Sequence, residues 1–325
     1  MRQFSLSIWT TWRKTSIRAR NRFHPFSPNS YRMMHSRFTY VSAVLTVLLC
    51  ISQFYSYGQA RQLQILSWNV QLLPSIAFYK GQMKRAPLIV NKLKDSNYDV
   101  IVFQEAFHNK ARKLLWKGLI ESFPYQLEPG KGGFLKFNSG VWIISKLKLE
   151  RTDNVKFTKC RIPLEDCRAN KGASFVEVIK DGLKVQIFAT HVQAREGEKY
   201  QQTRNSQFQE MKNQLIEKYK EEKVPQIVLG DLNTSKSKTE DYSNMLVILD
   251  AEDGRLAGEL QYTYDGILND MGGSPNKKVI DYILINKRGN PDVKLNRNVI
   301  IFQEQWSKKN VDLSDHYAVE CKLIY

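Results

Sequence analysis

Short apolar runs rich in Val and Ile, bounded by Gly, Asp or Asn, recur from Leu63 to the C-terminus. Eight of them predict strands: Leu63–Val70, Val100–Gln104, Gly140–Ser145, Ala173–Ile179, Val185–His191, Gln226–Leu229, Val279–Ile285 and Tyr317–Ile324. Three other stretches have helical spacing instead. Met83–Leu93 offers Leu88, Ile89 and Leu93; Lys110–Phe123 offers Leu114, Leu115, Leu119 and Ile120; Tyr200–Tyr219 offers Phe208, Met211, Leu215, Ile216 and Tyr219. Helices come early and again after His191, with adjacent strands between them and at the end. That order is neither strict β–α alternation nor all-β, and it predicts a layered α/β sandwich with helices packed outside the strands. No linker, repeat or low-complexity stretch interrupts residues 61–325, which read as a single domain.

Residues 1–60 differ in kind. They hold eight Lys/Arg and no Asp or Glu, and without them the formal charge falls from +17 to +9. A body that basic favours anionic partners, whether nucleic acid, phospholipid surface or phosphate substrate, and the sign alone does not choose. The apolar run Val41–Ile51 is about half a membrane span. Arg32 and Arg37 precede it and Gly58-Gln59-Ala60 follows, a pattern that predicts a signal peptide cleaved near Ala60 and hence export. An uncleaved N-terminal anchor is the rival reading, and Met33 or Met34 would serve as an alternative start. Cys160 and Cys167, bracketing Pro163, suit a small-loop disulfide in an oxidising compartment; Cys321, in an apolar terminal run, reads as a buried thiol. No Cys/His spacing points to structural zinc.

Several apolar runs close on a residue able to do chemistry. Glu105 ends Val100-Ile101-Val102-Phe103-Gln104, and a carboxylate closing a buried strand needs a compensating charge. A divalent cation supplies one, since magnesium takes one or two carboxylates plus water and substrate oxygens. Asn69, after Leu66-Ser67-Trp68, offers an amide oxygen to such an ion. His191 ends Ile187-Phe188-Ala189-Thr190, placed to stabilise charge on a phosphoryl oxygen. Asp231 and Asn233 follow a strand and Gly230, a spacing that brings both into one pocket. His316, in Ser314-Asp315-His316, suits a general base near neutral pH, and Asp281, interrupting Val279–Leu284, is the carboxylate to orient it. Two His, several carboxylates and two Asn at strand ends fit phosphoester hydrolysis with a hard divalent ion.

In this order, Asn69, Gln104-Glu105, Thr190-His191, Gly230-Asp231-Leu232-Asn233, Asp281-Tyr282-Ile283 and Ser314-Asp315-His316 resemble the endonuclease/exonuclease/phosphatase superfamily. Val102-Phe103-Gln104-Glu105-Ala106-Phe107, Asn170-Lys171-Gly172 and Thr190-His191-Val192-Gln193-Ala194 look like the secreted bacterial sphingomyelinase branch, and Gly140–Lys146 also fits. The resemblance implies a four-layer α/β/β/α sandwich of two packed mixed sheets flanked by helices. It implies Mg2+ (Mn2+ or Co2+ also suiting an oxygen-rich site) on Glu105 and Asn69, water activation by His316 with Asp281, and positioning by Asp231 and Asn233. Asp315 would lie near metal or base, His191 would stabilise the transition state, and Lys171 with Asn170 would bind substrate phosphate. The implied substrate is sphingomyelin in a membrane, the products ceramide and phosphocholine, the state a monomer.

The chain departs from that branch at Asn269–Lys278, polar and Gly-rich where membrane-lytic members carry an aromatic hairpin. A choline cage would draw on Tyr262, Tyr264 or Trp142. The alternative is an extracellular nuclease or other phosphoesterase of the superfamily. It would show basic residues tracking a groove, whereas the densest short cluster, Lys110, Arg112, Lys113 and Lys117, sits on a predicted helix. A non-catalytic lipid-binding module is disfavoured because no catalytic position is lost.

Overall fold

The computed structural model describes residues 61–74, 79–132, 137–161, 167–290 and 292–325. The run Val41–Ile51 lies outside them, and no helix among the described residues is long and apolar enough to cross a membrane. Ala60–Tyr325 forms one compact unit. Its strands in chain order are β1 (Gln62–Leu72), β2 (Val100–Ala106), β3 (Tyr125–Leu127), β4 (Trp142–Ser145), β5 (Arg151–Lys156), β6 (Gly172–Lys180), β7 (Leu183–His191) and β8 (Gln226–Asp231). They continue as β9 (Glu252–Asp253), β10 (Leu256–Ala257), β11 (Tyr264–Asp265), β12 (Lys277–Lys278), β13 (Asp281–Asn286), β14 (Lys294–Ile300) and β15 (Ala318–Ile324). The helices are α1 (Gln82–Leu93), α2 (Asn109–Leu119), α3 (Glu198–Met211) and α4 (Thr239–Leu249), with α3 running on into a π turn at Lys212–Ile216.

Two mixed sheets result. One has the order β10-β14-β15-β1-β2-β4-β3, the other β5-β6-β7-β8-β13-β9. They pack face to face through an aliphatic interior: Leu63, Ile65, Val100 and Val102 from the first sheet meet Val176, Ile187, Leu229 and Ile283 from the second. Alternation sends the other faces outward. Leu66, Trp68, Ile101 and Phe103 pack beneath α1 and α2. Phe175, Phe188, Val228 and Tyr282 pack beneath α3 and α4. The architecture is the four-layer sandwich that the resemblance implies.

Among the described residues, seven strands and one helix lie outside the sequence expectations; β3, β9, β10, β11 and β12 are only two or three residues long, while β5 and β14 are longer. The faces of β5 alternate between half-buried and exposed at the sheet edge, and β14, Lys-Leu-Asn-Arg-Asn-Val-Ile, contains no apolar run. The helix α4 does carry a stripe at helical spacing, Tyr242, Met245, Leu246 and Leu249, which packs in the helix-side core and is missed by the sequence expectations. The disulfide joins Cys160 to Cys167, and Cys321 is a buried free thiol.

Strand direction brings the chemically able strand ends together. β1 and β2 run parallel, as do β7 and β8, so their C-terminal ends share an edge; β13 and β15 are antiparallel and begin there. Continuing the inward register of each strand by one step therefore leaves the aliphatic interior at the same end of both sheets.

Candidate active site

At that end the inward-facing positions become polar. After Leu63 and Ile65 come Ser67 and Asn69; after Val100 and Val102 comes Gln104; after Ile187 and Ala189 comes His191; after Ile227 and Leu229 comes Asp231. Asp281 starts β13 directly opposite Asp231, and His191 is the partner of Asp231 on its other side. All are 3% exposed or less. Asn69 spans the gap between sheets, its Nδ2 donating to Asp231 Oδ2 (3.1 Å) while its Oδ1 accepts from Gln71 N (3.1 Å). Gly230 makes this arrangement feasible: with φ +135, a Cβ there would lie 1.9 Å from Thr190 O.

Glu105 breaks the alternation. The pleat would turn it toward the helices with Ile101 and Phe103, but its φ of +55 redirects it, and its Oε1 lies 4.0 Å from His191 Nε2. Asp315 accepts from Gln71 Nε2 (2.5 Å), and Ser314 Oγ donates to Asn69 O (2.5 Å), tying the 314–316 turn to the end of β1.

His316 and Asp281 form a close pair, Nδ1 lying 2.9 and 3.1 Å from the two carboxylate oxygens. Nε2 faces inward, 3.8 Å from Asp231 Oδ2. Burial disfavours the charged ring, but Asp281 and then Asp231 outweigh it and hold the imidazole well above its ordinary range. His191 is displaced the opposite way, lowered by burial and then by Lys171 and His316. The Lys171 ammonium donates to His191 Nε2 (3.2 Å) and to Val192 O (2.5 Å). Two histidines a few ångströms apart are thus biased to opposite protonation states. Asn233, at φ +47, donates its backbone N–H to Asp231 Oδ1 (3.0 Å) and its Nδ2 to Val192 O (3.3 Å). Asn170 lies further out, its Nδ2 donating to Lys131 O (2.6 Å).

The carboxylates carry a cost. Burial, and then the charge of Asp315, pushes Glu105 up to about 7. Burial followed by Asp281 pushes Asp231 up to about 6, and burial also raises Asp315. Buried acids with raised pKa values in one cleft are what a divalent cation relieves. Gln71 Oε1 and Gln104 Oε1, buried and without a hydrogen-bond partner among the described residues, add oxygen to the same region. Asp231, Asp281 and His316 form a candidate metal site, their ligand atoms within 4.8 Å of one another. Both Asp281 oxygens already engage His316, so Asp231 and the acids beside it are the better donors for a hard ion.

Arg85 gave no sequence signal, sitting on a helix as one basic residue among many. It is fully buried. Its Nε donates to Lys80 O (2.8 Å), Nη1 to Val70 O (2.7 Å) and Leu313 O (2.5 Å), and Nη2 to Gln71 O (2.6 Å). One guanidinium therefore fixes the end of β1 against the turn that carries Asp315 and His316. Burial lowers its pKa to about 10 against the pull of Asp315 and Glu105, so it stays charged at neutral pH.

One expectation around the site needs correction. Trp142 cannot line a choline cage: it is buried on the helix-facing side, stacked on Phe103 (5.2 Å) and bonded through Nε1 to Gln126. Tyr264 does reach the site, its ring edge-on to His316 at 5.5 Å, while exposed Tyr262 lies under Lys277. The polar segment before Asp281 is part of a small hairpin, β11 pairing with β12, and exposed Ile267 and Leu268 precede the glycines.

The sequence profile described as "Endonuclease/Exonuclease/phosphatase family" matches residues 66–316. The chain belongs to the endonuclease/exonuclease/phosphatase family. Among relatives of the family, a sphingomyelinase C from Leptospira interrogans is 32% identical over 289 residues, covering 79% of this chain and 51% of that protein. The chain thus spans about half the length of that relative. A phospholipase C from Staphylococcus aureus is 28% identical over 290 residues, covering 79% of this chain and 86% of its own length. The beta toxin of Staphylococcus aureus, solved as a double mutant with bound magnesium ions, superposes with a TM-score of 0.72 at 25% identity, over 80% of this chain and 99% of that one.

Arg85→Met should lower unfolding free energy by about 3 kcal/mol, because it leaves buried carbonyls without their donor; chemical denaturation measures it, and an unchanged midpoint would contradict the clamp. Acid titration of the site gives a second expectation. Glu105 and Asp231 hold protons in the fold at pH values where the unfolded chain has lost them, so metal-free stability should fall as pH rises from about 4 to about 7. Added magnesium should oppose this loss, so its increment in melting temperature should be larger near pH 8 than near pH 5.5. A pH-independent increment in calorimetry would place the ion elsewhere.

Proposed function

We propose that this protein is a magnesium-dependent sphingomyelin phosphodiesterase, residues 61–325 forming its catalytic domain. The observation that carries the reading is the His316–Asp281 pair facing Asp231 inside a buried acidic cleft; relatives named sphingomyelinase C support the substrate class. Mg2+ suits Glu105 and Asn69, and Mn2+ or Co2+ would also fit oxygen donors. When bound, the ion polarises a phosphoryl oxygen and neutralises charge developing on it.

The residues divide the rest. His316 accepts the proton of an attacking water at Nε2, while Asp281 on Nδ1 fixes the tautomer and stabilises the imidazolium that forms. The base must start neutral, so cationic charge entering the cleft assists by lowering a pKa that the acids otherwise hold high. Asp231 and Asn233 orient the water and the phosphate. The Lys171 ammonium offers N–H groups to the phosphoryl oxygen on the other side, neutral His191 beside it stabilises the transition state, and Asn170 steadies the approach. Asp315, held by Gln71, acts near the metal or base. Water oxygen bonds phosphorus as the bond from phosphorus to the ceramide oxygen breaks; ceramide leaves, its oxygen taking a proton from solvent, and phosphocholine is the second product. The protein acts on lipid at a membrane surface as a monomer, after export directed by the segment ending near Ala60.

His316→Ala should reduce phosphocholine release from sphingomyelin vesicles by about 100-fold or more, and chelator should abolish it. Plasmid nicking without phosphocholine release would instead assign the same site to a nuclease. For export, N-terminal sequencing of protein recovered from culture medium should read from Arg61; recovery only in the membrane fraction with residues 41–51 intact would favour an anchor.

A further inference from the structure

A groove runs outward from the candidate site, and all of its lining beyond Asn170 and Lys171 stands outside the hydrolytic chemistry. Two recesses, of about 260 and about 500 Å³, share Lys159 and Cys160; a third, of about 120 Å³, joins the first at Lys156 and Asn170. Exposed Lys131, Lys156, Lys159, Arg161 and Lys199 line them, and no described carboxylate does. Glu210 bonds the wall nearby, with its oxygens taken by Thr158 N and Oγ1 (2.7 and 2.9 Å). Over Lys156–Lys171 the chain has five Lys/Arg against two acids, Glu165 and Asp166, which lie outside the described residues.

The groove is built rather than incidental. Lys156 closes β5 opposite Gly172, and Phe157 is buried beneath, its N–H donating to Lys171 O (3.0 Å). The disulfide closes the loop, Arg161 N donates to Gln193 Oε1 (2.8 Å), and Gln207 Nε2 donates to Lys159 O (2.8 Å). Its inner end is Asn170-Lys171, and Lys171 Nζ already touches His191. Charge in the groove therefore opens onto the mouth of the cleft.

We propose that this groove is a docking surface for anionic phospholipid headgroups, holding the protein on a negatively charged bilayer beside the lipid it hydrolyses. The inference deepens the phosphodiesterase reading and rests on it for the hydrolysed lipid only. Complementarity of charge argues for the occupant: each Lys or Arg near an anionic leaflet adds attraction that salt screens. Nucleic acid fits less well, since single strands need ring platforms for their bases, and here Phe157 is buried while Tyr200 is half-buried below Lys199.

The test is sedimentation of full-length protein with phosphatidylcholine vesicles, with and without about one fifth phosphatidylserine, at low and high salt. Lys156→Glu with Lys159→Glu should weaken binding to the phosphatidylserine vesicles at least about ten-fold at low salt. It should leave binding to neutral vesicles, and phosphocholine release from sphingomyelin in neutral detergent micelles, unchanged. Should that variant fail to melt cooperatively, Lys156→Gln with Lys159→Gln replaces it, with about half the effect on a logarithmic scale. Equal binding of variant and parent to phosphatidylserine vesicles overturns the proposal. So does an equal loss on neutral vesicles, or loss of plasmid binding with vesicle binding intact. If the parent protein releases no phosphocholine from micelles, the substrate reading fails, and the vesicle comparison still decides the groove.

Discussion

Everything in this molecule depends on two sheets sharing one aliphatic interior whose inward registers all run out at the same end. Side chains alternate along a strand, so a register that is apolar for two or three steps delivers its next residue to the same face. Here that next residue is Asn69, Gln104, His191 or Asp231, with Asp281 entering from an antiparallel neighbour. The packing that stabilises the domain also removes water from one flank of these groups. It makes the site precise as well: the polar groups stand on paired strands, and only the 314–316 turn needs separate anchoring, which Ser314 and Arg85 provide.

Dehydration makes the cluster electrostatically tense. Glu105, Asp231 and Asp315 are all driven toward their neutral forms, and the cations near them, Lys171, Arg85 and the His316 ring, offset that unevenly. The same field separates the two histidines. His316, between Asp281 and Asp231, is pulled toward imidazolium; His191, beside Lys171, is pushed toward the neutral ring. Titratable groups driven apart by their surroundings let one cleft hold two histidines in different protonation states. A divalent cation placed among these acids would relieve them and would shift His316 back toward neutrality through the same field.

The periphery is tied to this centre by short connections. Tyr264, on the hairpin before Asp281, lies against His316, and Thr263 Oγ1 accepts the backbone N–H groups of Ile280 and Asp281 (both 3.1 Å). The disulfide loop is continuous through Asn170 with Lys171.

Strand-end chemistry was legible in the chain because β-strands are local: an apolar run followed by Asn, Glu, His or Asp needs only pleat geometry to be read. The order of those ends also marked the family, and the sandwich followed from the mixture of strand and helical spacing. Strands β5 and β14 were not legible, since an edge strand or one with polar outward residues lacks the apolar signal. By itself the sequence determined which residue types end which strands, the basic composition of residues 1–60, and the cysteine pair. Only the tertiary structure decided that Glu105 turns out of register, that Arg85 rather than a more conspicuous cation clamps the site, that Trp142 is core, and that scattered lysines gather along one groove. Each of these depends on contacts between residues far apart in the chain, where burial and neighbouring charge, not local pattern, set what a side chain does.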